Sequence, residues 1–159
     1  MFKKIKNLLP LIILPTLLSG CINLGGVNYK QAHMLKKEGF TLTEEGWALG
    51  LPKRILFNFD DAKLTKVDSD NIKNLAYQLK QYHLEHLKII GHADDIGNEL
   101  YNIKLSKQRA DHVAVIFYNN GFNTQDIQTI GKGSSQPFIL KKDRTSRASN
   151  RRVTIVIVP

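Results

Sequence analysis

The chain has a single cysteine, Cys21, among 159 residues, so an intrachain disulfide is excluded. It has one tryptophan, Trp47. Acids are scarce, with 14 Asp and Glu against 23 Lys and Arg, and the formal charge is +9. No uninterrupted apolar run approaches the roughly 20 residues of a membrane-spanning helix. There is no internal repeat and no low-complexity tract, which excludes repeat architectures. The rest is ordinary: hydrophobic residues make up 42%, as suits one globular domain with extensions.

The N-terminus is distinctive. Lys3, Lys4 and Lys6 precede an apolar run from Leu8 to Leu18 that is broken by Pro10 and Pro15. A basic start and a short apolar stretch read as a signal peptide over residues 1–20. The ending, Leu18-Ser19-Gly20-Cys21, resembles the bacterial lipobox, in which cleavage precedes a cysteine that carries lipid. That resemblance implies lipidation of Cys21 and anchoring in outer-membrane lipid through N-terminal acyl chains. Several acyl chains hold a protein durably, whereas one does not. Ile22 occupies the position where aspartate favours inner-membrane retention, so a location on the outer membrane, facing the periplasm, is implied. Removing three lysines leaves a mature charge of +9 − 3 = +6. Export to the periplasm argues against a nucleic-acid partner despite that charge.

Residues 21–51 read as a lipidated tether and arm. The segment "KQAHMLKKEGF" suits two to three helical turns stopped by Gly39. Leu42, Trp47, Leu49 and Leu51 follow among turn residues without forming one large apolar face. From Pro52 the pattern is regular. "RILFNFD" alternates as a strand with Phe57 and Phe59 on one side. Ile72, Leu75, Ala76, Leu79 and Tyr82 recur at helical spacing, with Ser69 or Asp70 as cap. "LKIIGH" is a second strand, and "NELYNIK" a short helical piece. Ser106 is placed to cap a second long helix that turns Ala110, Val113, Ile116 and Phe117 inward and ends at Asn120-Gly121. "IQTIGKG" and "RRVTIVIV" complete the strands. The expectation for 52–159 is an α/β (α+β) domain: a mixed four-stranded sheet packed by two main helices, with a βαβ crossover.

The stretch "GHADDIGNELYNIKLSKQRA", residues 91–110, carries the candidate chemistry. Asp94 follows a strand and Arg109 lies on the next helix, so both can reach the same end of the sheet, where α/β folds bind ligands. Gly97 allows close approach of backbone N–H groups. A carboxylate takes an ammonium, and a guanidinium forks onto a carboxylate, so the pair suits an amino-acid headgroup. The alternative is that Asp94 and Arg109 pair with each other and only hold the loop. Spacing leaves both open. A metal-assisted hydrolase built on His92, Asp94 and Asp95 is the weakest reading, because metal sites need three or four convergent ligands. Strand alternation turns His92 away, and no histidine is placed as a base beside Ser106. No catalytic residue, metal or cofactor is therefore expected.

The same stretch resembles the signature of the OmpA-like peptidoglycan-binding domain, G-H-T-D-x-x-G-x-x-x-x-N-x-x-L-S-x-x-R-A. "ILFNFDDAKL" is similar to that family's opening strand and "NRRVTIVI", from Asn150, to its closing strand. The resemblance covers residues 52–159 and implies binding of the diaminopimelate in peptidoglycan stem peptides. Asp94 would take its ammonium and Arg109 its carboxylate, while Gly97 would supply a backbone N–H. Asn102 would fix the loop or touch the ligand, and Asp60 and Arg152 are weaker candidates at the rim. Two positions depart from the pattern: Ala93 replaces the usual threonine, and Ser146 stands where glycine often precedes the last strand. The arm, "EGFTLTEEGWALGLPKRILF", is similar to that of signalling lipoproteins within the family. Those proteins capture a periplasmic YfiR-like repressor and so free a YfiN-type diguanylate cyclase, raising cyclic di-GMP and favouring biofilm. This implies a partner surface at Met34, Leu35, Phe40, Leu42 and Trp47; the alternative is that these residues cover an edge of the domain. A purely structural, Pal-like anchor is the competing function. Oligomeric state is left open, a homodimer included.

Overall fold

The computed structural model describes residues 24–49 and 55–158. The segment expected to be a signal peptide and Cys21 lie outside the described residues. In chain order the elements are α1 (Tyr29–Lys37), β1 (Phe40–Thr43), β2 (Gly46–Leu49), β3 (Ile55–Leu56), α2 (Lys66–Gln81), β4 (Leu87–Gly91), α3 (Glu99–Asn119), a 3-10 turn (Thr124–Asp126), β5 (Ile127–Gly131), α4 (Arg144–Asn150) and β6 (Arg152–Ile157). The sheet is mixed, as expected. Its main path runs β1-β2-β6-β4-β5, and β3 also pairs with β6. The β4–β5 pair is parallel, joined through α3, and β6 runs antiparallel to β4. Helices α2 and α3 pack together over a core that includes Ile89, Val153 and Ile155.

The sheet has six strands rather than four, because the arm contributes two. Asn28 caps α1 in a reciprocal box with Gln31. That helix buries Ala32, Met34 and Leu35. The β1–β2 hairpin follows, with Phe40 opposite Leu49 and Leu42 opposite Trp47, and β2 docks on β6 through Trp47↔Ile157. Trp47 is 2% exposed, and its Nε1 donates to the Leu24 carbonyl at 3.0 Å. Met34, Leu35, Phe40 and Trp47 therefore lie in the core and not on a partner surface; of the five residues named for that surface, Leu42 alone is exposed. The arm is part of the domain. Its apolar residues are shared between one short helix and two four-residue strands, so neither period reveals them.

Both long helices start earlier than their spacing suggests. Thr65, not Ser69 or Asp70, caps α2 by accepting from the Asp68 N–H at 3.1 Å. The face of Ile72, Leu75, Ala76 and Leu79 is buried as expected. The short helical piece and the second helix are one 21-residue α3, capped by Asn98 at the Tyr101 N–H. Ser106 is mid-helix. Its hydroxyl donates to the Ile103 carbonyl and accepts from the Gly133 N–H, so it bridges the helix to the loop after β5. Phe57 is buried but Phe59 is 60% exposed, because β3 ends at Leu56 and the alternation stops.

Two glycines set the distance between α3 and the sheet. Gly91 and Gly131 are register partners in β4 and β5. A Cβ on Gly91 would lie 1.8 Å from the Ser106 carbonyl oxygen, and one on Gly131 2.5 Å from that of Ile103. The helix backbone rests directly on these strand ends.

If the arm is integral, Trp47→Ala should lower stability by about 3–5 kcal/mol, the usual cost of emptying a buried aromatic site. Urea unfolding followed by circular dichroism should show one cooperative transition at lower midpoint. An unchanged midpoint would mean that the arm is separate.

Candidate ligand-binding site

Past Gly91 the chain leaves the sheet and loops to Asn98, where α3 begins. The loop is held by its own side chains. Asp94 accepts from the Ile96 N–H at 3.1 Å through Oδ1. Asn102, one turn into α3, donates to the carbonyls of Asp94 and Ile96 at 3.3 and 3.0 Å. Gly97 sits at φ +91°, a conformation that L side chains rarely adopt. Added atoms would meet only Asn102 Oδ1 at 3.8 Å and Tyr101 at 4.0 Å, so backbone conformation, not space, calls for glycine.

Beside this loop lies a cavity of about 170 Å³, lined by Phe59, Asp60, Ala93, Asp94, Ile96, Gly97, Tyr101, Asn102, Leu105, Arg109 and Arg151. Asp94, Gly97, Asn102, Arg109 and Asp60 are thus brought together as expected. Asp60 is at the rim, where its carboxylate accepts from the Tyr101 hydroxyl. That bond raises the Tyr101 pKa.

Arg109 is fully buried. It donates Nε to the Asp61 carbonyl at 2.8 Å, Nη1 to His92 at 3.0 Å and Nη2 to Asn58 at 3.1 Å. Its guanidinium also lies 5.2 Å from the Phe57 ring centroid. A guanidinium has five N–H groups, so these bonds leave one on each Nη. Burial, followed by the charge of Arg151, pushes its pKa down to about 10. The group therefore stays charged at neutral pH.

Arg109 does not pair with Asp94; Arg151 does. Arg151 Nη1 donates to Asp94 Oδ2 at 2.9 Å, and its Nε to the Phe57 carbonyl at 3.1 Å. The family resemblance implies Arg152 as a candidate at the rim. The structure places Arg152 away from this cavity, 5.6 Å from the Phe138 ring centroid and lining a second cavity with His92. Arg151 and Arg152 are consecutive where β6 begins, and successive strand residues point to opposite sides. The adjacent arginines were the available signal; alternation decides between them. Asp95 is engaged elsewhere, with Arg147 Nε at 2.7 Å. His92, Asp94 and Asp95 do not converge, and no group of three or more His, Cys, Asp or Glu among the described residues is placed to hold a metal.

A mixed sheet with a charged cavity where β4 runs into α3 defines an OmpA-type domain, and the OmpA family pattern matches residues 56–151: the chain belongs to the OmpA family. It is 33% identical over 132 residues to the outer-membrane lipoprotein YfiB of Pseudomonas aeruginosa, covering 83% of this chain and 79% of that one. It is 35% identical over 156 residues to the putative lipoprotein YfiB of Escherichia coli K12, covering 96% and 98%. Among solved structures, the peptidoglycan-associated lipoprotein of Burkholderia pseudomallei superposes with a TM-score of 0.61 at 27% identity, over 65% of this chain and 87% of that one.

His92 gives a pH prediction. It is 4% exposed, and its pKa falls from 6.5 to about 3, through burial first and then the charges of Arg152 and Lys132. The folded state keeps the ring neutral while the unfolded chain protonates it. Stability should therefore be whole above pH 6.5 and fall toward pH 3. One such proton corresponds to roughly 1.4 kcal/mol per pH unit within that window. Urea midpoints across pH 4–7 measure the slope, and His92→Gln should reduce it.

Proposed function

We propose that this protein is an outer-membrane lipoprotein, lipidated at Cys21 and facing the periplasm, that binds peptidoglycan through the diaminopimelate of the stem peptide. The carrying observation is the charge set of the cavity. Asp60 and Asp94 face Arg109 and Arg151, two charges of each sign around a space of about 170 Å³. This suits a group bearing an ammonium and a carboxylate on one carbon. Asp94 is the ammonium acceptor, with one oxygen already shared with Arg151. Arg109 offers its remaining Nη–H groups to the carboxylate, and Gly97 a backbone N–H. The names of the relatives, an outer-membrane lipoprotein and a peptidoglycan-associated lipoprotein, support the location and the ligand. The relatives also support a binding role rather than an enzymatic one.

Asp94→Asn keeps the shape and removes the charge. Co-sedimentation with isolated sacculi should weaken by roughly 2 kcal/mol or more, about thirtyfold. Free meso-diaminopimelate should compete with the native chain. Undiminished binding by the variant would sink the assignment.

The second part of the proposal is signalling: capture of a periplasmic YfiR-like repressor, releasing a YfiN-type diguanylate cyclase. Similarity to the YfiB lipoproteins over most of the chain, arm included, supports it. With four of the implied contact residues in the core, the exposed Leu42 on β1 is the anchor of that surface. Leu42→Asp should abolish co-purification of a YfiR-like protein and leave sacculus binding intact. If the native chain captures no such protein, the function is the Pal-like anchor alone.

A further inference from the structure

The sheet has a second face. Ile89, Val153 and Ile155 turn to the helices, so their strand neighbours turn away from them. Among those neighbours, Ile90, Thr154 and Val156 line a cavity of about 370 Å³ together with Ala48, His92 and Arg152. Thr43, Glu44 and Glu45 of the β1–β2 hairpin close one side, and Gln136 another. None of these residues lines the cavity beside Asp94.

One side chain there is unexplained by the fold. His92 is 4% exposed, yet its Nδ1 is buried without a hydrogen-bond partner. A buried orphan polar atom is costly and asks for a reason. An orphan lone pair is easier to bury than an orphan N–H, so the proton belongs on Nε2, the ring nitrogen left toward the cavity. His92 then presents a neutral donor, with the positive charges of Arg152 and Lys132 near it. The hairpin opposite carries two exposed carboxylates, and the floor between them is apolar.

We propose that this cavity binds a free apolar L-amino acid. Its carboxylate accepts from His92 Nε2 on the arginine side. Its ammonium faces Glu44 and Glu45, and its side chain lies on Ala48, Ile90 and Val156. A plain carboxylic acid would meet the glutamates as like charges, and a plain amine would meet Arg152. The zwitterion matches both ends.

The test uses L-leucine and the side-chain ¹⁵N resonances of His92, in the whole mature chain carrying Asp94→Asn to silence the other cavity. Leucine should shift the His92 resonances saturably. Leucinamide, without the carboxylate, and isocaproate, without the amine, should each bind roughly tenfold more weakly. Glu44→Gln with Glu45→Gln, both exposed and safe for folding, should weaken leucine similarly. Unmoved His92 resonances overturn the proposal. So does isocaproate binding as tightly as leucine, or a response present in the native chain but lost in Asp94→Asn.

Discussion

The buried guanidinium of Arg109 is the interaction on which the site depends. A buried charge must be fully engaged or the fold pays several kcal/mol for it. Arg109 is engaged by carbonyls of Asn58 and Asp61 from the loop after β3, and of His92 from the end of β4. One side chain on α3 thus ties together the two loops that wall the cavity. Carbonyls take three of its five N–H groups without cancelling its charge. The compensation for Asp94 comes instead from Arg151. The cavity therefore stays balanced and charged, where an Asp94–Arg109 pair would have closed it.

That arrangement requires α3 to sit very close to the sheet. Gly91 and Gly131 make this possible, since any Cβ there would strike helix backbone. Ser106 completes the contact, with its hydroxyl shared between its own helix and Gly133. Three positions with little side chain, one turn from Arg109 or directly below it, decide where a large cation can be buried. Asn102 does the matching work on the other side of the loop, holding the Asp94 and Ile96 carbonyls. The motif is a unit because each residue constrains the backbone that carries the next.

Much of this was legible in residues 91–110. A carboxylate after a strand, a glycine, and an arginine on the following helix specify the location whatever their exact contacts. What spacing could not supply was the identity of each partner. Ser106 looks like a cap because serine bonds a helix N-terminus as readily as it bonds a neighbouring loop, and only the fold separates these uses. Arg151 and Arg152 differ by one residue, which in a strand is the difference between two faces. The arm was illegible for another reason. Its nine-residue helix and four-residue strands are too short for a period to declare itself. Their apolar residues become a core only when β6 is beside them.

The docked arm also fixes where the cavity lies relative to residues 24–49. Read as a flexible tether, residues 21–51 could span on the order of 100 Å when extended. With α1 and the hairpin built into the domain, Tyr29 to Leu49 are not free length. The Asp94 cavity lies at the end of β4, while the arm joins the far end of β6, through Ile157. Because β4 and β6 are antiparallel, with Gly91 opposite Val153 and Leu87 opposite Ile157, the cavity and the arm occupy opposite ends of the same two strands. The geometry that buries Trp47 is thus the geometry that sets the Asp94 cavity at the end of the sheet opposite the docked arm.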